Sequence, residues 1–159
     1  MNYYAKETSI GQVTITEDKG FITGLYIQKE IKKINGKNIL SDILQNAFNQ
    51  LEEYLCGKRK NFDLPLNPKG TPFMQKVWSY LYQIPYGETR TYKDIAVRLG
   101  NEKSYRAVGN ANNKNPIPIF IPCHRVIGSD GSLIGYAYGL DVKRKLLELE
   151  ELNINYNQA

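Results

Sequence analysis

The chain has 159 residues, 42% of them hydrophobic and 23% charged, with a net charge of +5. This balance excludes a disordered tail, and the length suits one compact domain or two small ones. Residues 1–10 contain no apolar segment of the kind found in secretion signals, and no apolar run approaches the ~20 residues of a membrane span. We therefore expect a cytoplasmic protein without a membrane segment.

Three short strands are predicted at the start of the chain, over residues 3–8, 12–17 and 20–27. Val13 and Ile15 alternate with polar residues, and the breaks between the strands contain glycine. Alternation of this kind is typical of a strand with one buried face.

A helix is predicted over residues 41–56, with Ser41 as its N-terminal cap and Gly57 after its end. Its apolar side chains share one face and are Ile43, Leu44, Ala47, Phe48, Leu51 and Leu55. Cys56 lies on this apolar side and is expected to be a small buried side chain.

The segment 61–71 contains proline and glycine and indicates a linker. We therefore predict two domains, 1–68 and 69–159. The second domain opens with a helix from Pro72, where the missing N–H costs nothing. The buried positions of this helix are predicted to be Phe73, Val77, Trp78 and Leu81.

Two short helices follow, over about residues 91–99 and 104–113, separated only by a turn that contains Gly100. This is the pattern of a helix-turn-helix unit. Residues 90–114 carry six basic side chains against two acidic ones, which favours a polyanionic partner. A plain helical hairpin with a solvated basic face has the same pattern, so both interpretations stay open at this point.

The segment 115–140 cannot form a regular helix, because it contains three prolines and four glycines. After it, a last helix is predicted from residue 141 to about residue 152. The apolar positions of that helix are Val142, Leu146, Leu147 and Leu149.

The only histidine of the chain, His124, directly follows Cys123, one of two cysteines. A Cys–His pair is a common nucleophile and base, since a nearby imidazole raises the thiolate fraction of a thiol whose pKa is ordinarily ~8.5. Neighbouring residues in an extended segment point in opposite directions, so contact between them needs a bridging water or a local turn. A structural cysteine beside an unrelated histidine is the alternative, and on the dipeptide alone it is the better one.

Two other uses of these residues are disfavoured. Two cysteines and one histidine are too few for a zinc cage, and a papain-like hydrolase needs a histidine far from its cysteine. We therefore expect no metal and no cofactor. Two hypotheses from different classes remain: an enzyme that acts on DNA through a cysteine nucleophile, and a helix-turn-helix module that only binds.

A longer spaced pattern surrounds the cysteine. Its centre is Asn115-Pro116-Ile117-Pro118-Ile119 and Ile121-Pro122-Cys123-His124-Arg125-Val126-Ile127. The outlying parts of the pattern are Val77-Trp78, Ile84-Pro85-Tyr86-Gly87-Glu88-Thr89, Tyr92, Ile95-Ala96, Arg106-Ala107-Val108-Gly109, Gly131, Gly135-Tyr136, Gly139-Leu140, Lys143, Leu146-Leu147 and Glu150. Over about residues 72–150 this pattern resembles that of the O6-alkylguanine-DNA alkyltransferases, with weaker agreement over residues 51–66.

The resemblance implies an N-terminal ribonuclease-H-like α/β domain and a mostly α C-terminal domain with a helix-turn-helix, α+β overall. It also implies DNA repair, in which an alkyl group, mainly methyl, moves irreversibly from O6 of guanine, or from O4 of thymine, to Cys123. The implied partner is double-stranded DNA with alkylated bases. The second helix of the helix-turn-helix, over about residues 104–113, is the recognition helix, and it enters the minor groove of this DNA. The target base is flipped out, because a thiolate cannot reach a carbon inside the stack. A monomer is expected.

The resemblance further implies roles for single residues. Cys123 is expected to accept the alkyl group, with His124 as its base through a water and Glu150 orienting the imidazole. Tyr92 is expected to donate a proton to the departing guanine, and Asn115 to tie the recognition helix to the segment that holds the nucleophile. The expected DNA contacts are Arg106, which fills the space that the base leaves, and Tyr92, Lys93, Asn101 and Ser129. The expected pocket residues are Pro118, Val126, Tyr136, Ala137 and Tyr138.

Four residues near the site have plainer interpretations. Trp78 is expected in the core, Lys143 on a solvated helix face, and Arg125 in an ion pair with an acid. Tyr136 as a simple packing aromatic stays an alternative to its pocket role.

Tyr138 departs from the family pattern, since many relatives have a glycine there. A bulky ring at the pocket wall is expected to favour methyl over benzyl groups. The chain also lacks the cysteines and histidine of the family's optional N-terminal zinc site. The main rival function is that of a relative that binds lesions without transfer, but such proteins have another residue in place of the nucleophile.

Overall fold

The computed structural model describes residues 1–27 and 34–158, which form two compact units, Met1–Lys69 and Gly70–Ala159. The first unit is α/β and the second is mainly helical, as the sequence predicts. In the described part of the chain, no helix is long and apolar enough to cross a membrane.

The first unit is built on a four-stranded sheet. Its strands are β1 (Asn2–Thr8), β2 (Gly11–Asp18), β3 (Phe21–Ile27) and β4 (Lys37–Asn38), in the order β3-β2-β1-β4. Neighbouring strands are antiparallel except β1 and β4, which are parallel. The three predicted strands are confirmed. The sequence missed β4, because two residues are too few to show alternation.

The central strand β2 is buried on both of its faces. Val13 and Ile15 are fully buried, as predicted, but Thr14 and Thr16 are buried too. The Thr16 hydroxyl satisfies its hydrogen-bonding capacity with the Thr23 hydroxyl on β3, at 2.8 Å. Buried hydroxyls need such partners, since an unpaired one costs about 1–3 kcal/mol.

The helix α1 (Asp42–Leu55) packs on the sheet through fully buried side chains. Those side chains are Leu44, Ala47, Phe48, Leu51 and Tyr54. Of the two predictions about its ends, the first is confirmed by position only and the second is wrong. Ser41 is the N-terminal cap by position, but its side chain makes no capping hydrogen bond. Cys56 is exposed, because the helix ends one residue before it and the chain turns away at Gly57.

The proline-containing segment after α1 is fixed to the first unit by hydrogen bonds. The Gln50 side chain both donates to the Asp63 carbonyl and accepts from the Asp63 N–H, at 3.0 and 2.9 Å. Ile22 on β3 pairs with the backbone on either side of Leu66. Most of the predicted linker is therefore an ordered edge of the α/β unit.

The second unit opens with α2 (Pro72–Tyr82), capped by the Thr71 hydroxyl, which accepts from the Met74 N–H. Val77, Trp78 and Leu81 are buried as predicted. The prediction for Phe73 is wrong: its side chain is 38% exposed. It lies in the first turn, four residues before Val77, where the helix has not yet entered the core.

The predicted helix-turn-helix consists of α3 (Tyr92–Arg98) and α4 (Tyr105–Asn113). Thr91 and Asp94 form a capping box at the start of α3. After the end of this helix, Gly100 adopts the left-handed conformation, with a φ of 87°. A 3₁₀ turn, Glu102–Ser104, leads into α4.

Two strands and one helix complete this unit. β5 (Arg90–Thr91) pairs in parallel with β6 (Val126–Ile127), and α5 spans Leu140–Gln158. The helix α5 is longer than predicted, because its last turns have tertiary contacts. Ile154 packs on Gly87, where a Cβ would overlap it, and Asn153 donates to the Tyr86 hydroxyl.

Candidate active site

The C-terminal end of α4 is fixed to its surroundings by two side-chain hydrogen bonds. The indole N–H of Trp78, on α2, donates to the Ala111 carbonyl at 2.9 Å. The Asn112 amide donates to the Cys123 carbonyl at 3.3 Å. The helix that follows the turn is therefore linked to the backbone of the candidate nucleophile.

Asn115 closes the tight loop between α4 and Cys123. Its amide donates to the Ile121 carbonyl at 2.8 Å, and its oxygen accepts from the Ile117 N–H at 3.0 Å. Inside the loop Ile119 has a φ of 73°, a left-handed conformation that a β-branched residue rarely adopts. Such strain costs about 1–3 kcal/mol. Burial of the loop's isoleucines and Phe120 offsets it.

Cys123, His124 and Arg125 form a buried 3₁₀ turn. Their side chains point to different partners. The Cys123 thiol is close to Asn115 and Lys143, whereas His124 and Arg125 contact Glu150. The local turn that a Cys–His pair was expected to need is present, but it directs the imidazole towards the last helix.

Glu150 on α5 is the hub of a buried charge network. One oxygen lies 2.6 Å from His124 Nε2, and the other accepts from Arg125 Nε at 2.8 Å and from the Gly87 N–H at 2.9 Å. Burial alone would raise the pKa of this carboxyl, but hydrogen bonds from His124 and Arg125 and the charge of Arg125 lower it to about 2. Arg125 thus pairs with an acid, as expected.

The tautomer of His124 follows from this contact. An ionised carboxylate only accepts hydrogen bonds, so Nε2 carries the proton and Nδ1 carries the lone pair. Burial lowers the pKa of His124, and Glu150 opposes that effect. The imidazole is therefore neutral at pH 7 and has a basic nitrogen on the side away from Glu150.

The Cys123 thiol is protonated at neutral pH. Burial raises its pKa to about 11, while a hydrogen bond from Asn115 and the charge of Lys143 act in the opposite direction. The proton of this buried thiol must therefore be removed before the sulfur can act as a nucleophile.

Lys143 corrects a prediction, since it is fully buried and not solvated. Its ammonium group donates to the Val126 and Ile134 carbonyls, at 2.6 and 2.8 Å. Burial lowers its pKa to about 8, against the attraction of Cys123. A buried cation beside the thiol favours the thiolate form.

Tyr92, the first residue of α3, reaches the glycine-rich loop before α5. Its hydroxyl donates to the Ile134 carbonyl at 2.8 Å. Burial raises its pKa to about 12, so it keeps its proton at neutral pH. Gly135 has a φ of 65°, and a Cβ there would lie 3.1 Å from the Tyr92 oxygen, which explains the need for glycine.

The predicted pocket residues differ in how deeply they are buried. Pro118 and Val126 are buried, Ala137 is exposed, and Tyr136 and Tyr138 are half-buried. The two tyrosine rings meet edge to face, with centroids 5.9 Å apart. The Tyr136 hydroxyl is buried without a hydrogen-bond partner in the described part of the chain, and its pKa is raised by burial and by Cys123.

The predicted DNA contacts are accessible to solvent. Lys93, Asn101, Arg106 and Ser129 are exposed, and Tyr92 is half-buried. Asn101 also has a structural use, because its side chain accepts from the Lys103 N–H and caps the 3₁₀ turn before α4.

Sequence reasoning missed Asn112 and misplaced Lys143 at this site. Lys143 precedes Leu146, Leu147 and Glu150 by three, four and seven residues, so all four share one helical face. That spacing is the signal that could have placed the lysine inside. Among residues 1–27 and 34–158, no cluster of three metal-ligating His, Cys, Asp or Glu side chains occurs.

Two family models match nearly the whole chain. The 6-O-methylguanine DNA methyltransferase ribonuclease-like domain matches residues 1–68, and the DNA binding domain of the same family matches residues 72–152. The chain belongs to the 6-O-methylguanine DNA methyltransferase family. The resemblance and the fold class expected from the sequence are thereby confirmed.

Relatives with this family's activity in their names match over nearly their full length. The methylated-DNA–protein-cysteine methyltransferase of Methanosarcina barkeri is 51% identical, over 97% of this chain and 99% of its own. The constitutive enzyme of Bacillus subtilis is 46% identical, over 96% and 98%. Among solved structures, the Mycobacterium tuberculosis OGT in complex with DNA has a TM-score of 0.90 at 40% identity, covering 96% of this chain and 94% of that one.

Proposed function

We propose that this methyltransferase-family chain repairs DNA by moving an alkyl group, mainly methyl, from O6-alkylguanine to Cys123. The observation that carries the assignment to Cys123 is the buried turn in which the thiol precedes a histidine held at 2.6 Å by Glu150. A nucleophile, a base and a group that orients the base are the parts such chemistry needs.

The thiol is activated by loss of its proton to His124. Neutral His124 has its lone pair on Nδ1, and a water between this nitrogen and the sulfur would carry the proton across. Glu150 stabilises the imidazolium that results, and the Lys143 ammonium stabilises the thiolate. Each charge that the proton transfer creates therefore already has an opposite charge beside it.

The thiolate then attacks the alkyl carbon in line, a C–S bond forms, and the C–O bond to guanine breaks with its electron pair. Tyr92 gives a proton to the departing base, which suits a phenol that is fully protonated at neutral pH. To do so its hydroxyl must leave the Ile134 carbonyl. The product is a thioether, and nothing in the proposed machinery hydrolyses one, so each molecule acts once.

Duplex DNA is the proposed partner, with the reacting base flipped into the pocket formed by Pro118, Val126, Tyr136, Ala137 and Tyr138. Arg106 occupies the vacated space, and Lys93, Asn101 and Ser129 contact the backbone. We propose that the protein acts as a monomer. We also propose a reducing cytosol as its location, because both cysteines are free thiols.

Mass spectrometry after incubation with duplex DNA that contains O6-methylguanine tests the proposal. We expect one added CH2 on the peptide that contains Cys123, and none in Cys123→Ser. The exposed thiol of Cys56 is the matched control, and Cys56→Ser must keep full transfer. Unmodified Cys123 despite tight lesion binding would instead support the lesion-binding alternative.

A further inference from the structure

An aromatic side chain stands between two of the exposed cations of the helix-turn-helix. Tyr105 is the first residue of α4, immediately before Arg106, and its side chain is 37% exposed. The Arg106 guanidinium carbon lies 5.8 Å from the centre of its ring, and Lys93 Nζ, from α3, lies 5.9 Å from it. One ring thus contacts a cation from each helix of the unit.

Apart from the Tyr105 ring, Arg106 and Lys93 have few interactions that would fix their side chains. The first turn of α4 contains no acidic residue. In the described part of the chain, neither Arg106 nor Lys93 forms an ion pair. Long basic side chains without such a partner sample many rotamers, and two like charges repel each other. Contact with the electron-rich face of an aromatic ring limits both effects.

We propose that Tyr105 is a positioning residue that holds Arg106 and Lys93 in place for entry into the DNA. The inference rests on the proposed role of Arg106 in filling the space of the flipped base. An arginine that is already oriented loses less conformational freedom when it enters the stack. The ring keeps Lys93 beside it, so one cation is directed to the base stack while the other is directed to the phosphates.

The consequence is larger for duplex substrates. A guanine in a single strand leaves no paired stack to be filled, so its reaction does not need an ordered Arg106. Loss of the Tyr105 ring is therefore expected to slow repair of duplex DNA more than repair of single-stranded DNA, in which only the contact of Lys93 with a phosphate is affected. If Tyr105 only stabilised α4, its replacement would slow the reactions on duplex and single-stranded DNA to the same extent.

The test compares Tyr105→Leu with Tyr105→Phe, using O6-methylguanine in a duplex and in the same oligonucleotide as a single strand. Leucine forms helices at least as well as tyrosine, so α4 is retained, and thermal unfolding of both variants checks this. We expect Tyr105→Leu to lower the second-order rate on the duplex about two- to fivefold for each cation that the ring no longer holds. Tyr105→Phe keeps the ring and should react like the unchanged protein.

A double-mutant cycle with Arg106→Ala separates the inference from the function on which it rests. If Arg106→Ala leaves the duplex rate unchanged, the proposed role of Arg106 fails. If it lowers the rate but Tyr105→Leu does not, only the role of Tyr105 is overturned. We expect the Tyr105→Leu effect to shrink in the Arg106→Ala background to the part that acts through Lys93; an effect of undiminished size there, or an equal slowing on duplex and single strand, overturns the positioning role.

Discussion

Lys143 and Tyr92 donate hydrogen bonds to the same backbone oxygen, the carbonyl of Ile134, each at 2.8 Å. The Lys143 ammonium also lies 6.0 Å from the centre of the Tyr92 ring. The loop that carries the pocket tyrosines is therefore anchored from α3 and α5 at one point. The same lysine binds the Val126 carbonyl, three residues after Cys123. It thus joins the pocket loop to the segment of the thiol.

Replacement of Lys143 by methionine should reduce activity more than stability. The variant loses the cation that favours the thiolate, and each unit by which the thiol pKa rises lowers the thiolate fraction about tenfold. Stability should fall by less than about 2 kcal/mol, because removal of a buried charge offsets part of the missing hydrogen bonding. Single-turnover transfer rates and urea unfolding measure the two effects. Lys145→Met, at an exposed position two residues on, should change neither.

The rate of transfer should depend on pH in two stages. The pKa of Cys123 is about 11, so the thiolate fraction, and with it the rate, rises from pH 7 upwards. Near pH 8 Lys143 begins to lose its charge, which withdraws support from the thiolate and makes the rise less steep. Single-turnover rates from about pH 6.5 to about pH 9.5 should therefore bend near pH 8. In Lys143→Met the bend should disappear; its persistence would assign it to another group.

Replacement of Glu150 by glutamine should destabilise the second unit and slow transfer. The amide keeps the shape but leaves buried Arg125 without its counter-charge, and removal of one partner from such a pair costs about 3–5 kcal/mol. It also no longer stabilises the His124 imidazolium, so transfer slows even in the folded variant. Chemical unfolding and single-turnover rates measure both. Glu148→Gln, on the exposed face of the same helix, is the control.

The same carboxylate should set the acid stability. The pKa of Glu150 in the folded protein, about 2, lies below its ordinary value of 4.5, so its contribution is complete above pH 4.5 and is lost as the pH falls towards 2. Over that range the free energy of unfolding should fall by about 3 kcal/mol from this group alone. Glu150→Gln should lack this component, and an equally steep acid dependence in the variant would contradict the assignment.

Tyr138 should limit the size of the alkyl group. Its ring lies edge to face against Tyr136 at the expected pocket wall. Tyr138→Gly removes the ring, so the rate on O6-benzylguanine in DNA should rise by about tenfold or more relative to O6-methylguanine, since relief of a steric clash in a packed site is worth about 1–3 kcal/mol. Tyr138→Phe keeps the ring and the preference for methyl. Comparable methyl and benzyl rates in the unchanged protein would exclude this role.

Much of the fold could be predicted from local signals. Val13 and Ile15 alternate as in a strand, the helix over about residues 91–99 begins with a capping box, and Trp78 is in the core. For the last helix, the contacts that decided its length were distant in sequence. The helix α5 runs beyond residue 152 because Ile154 packs against Gly87, which no local pattern shows.

By itself, the sequence determined most of the secondary structure, the family and the residues available for chemistry, because these depend on residue type and short-range spacing. The tertiary structure decided their ionic states. His124 meets Glu150 across 26 residues, and Lys143 lies inside beside Cys123, although lysine is ordinarily solvated. Burial and charge act through space, so the thiol's protonation and the histidine's tautomer follow only from the folded arrangement.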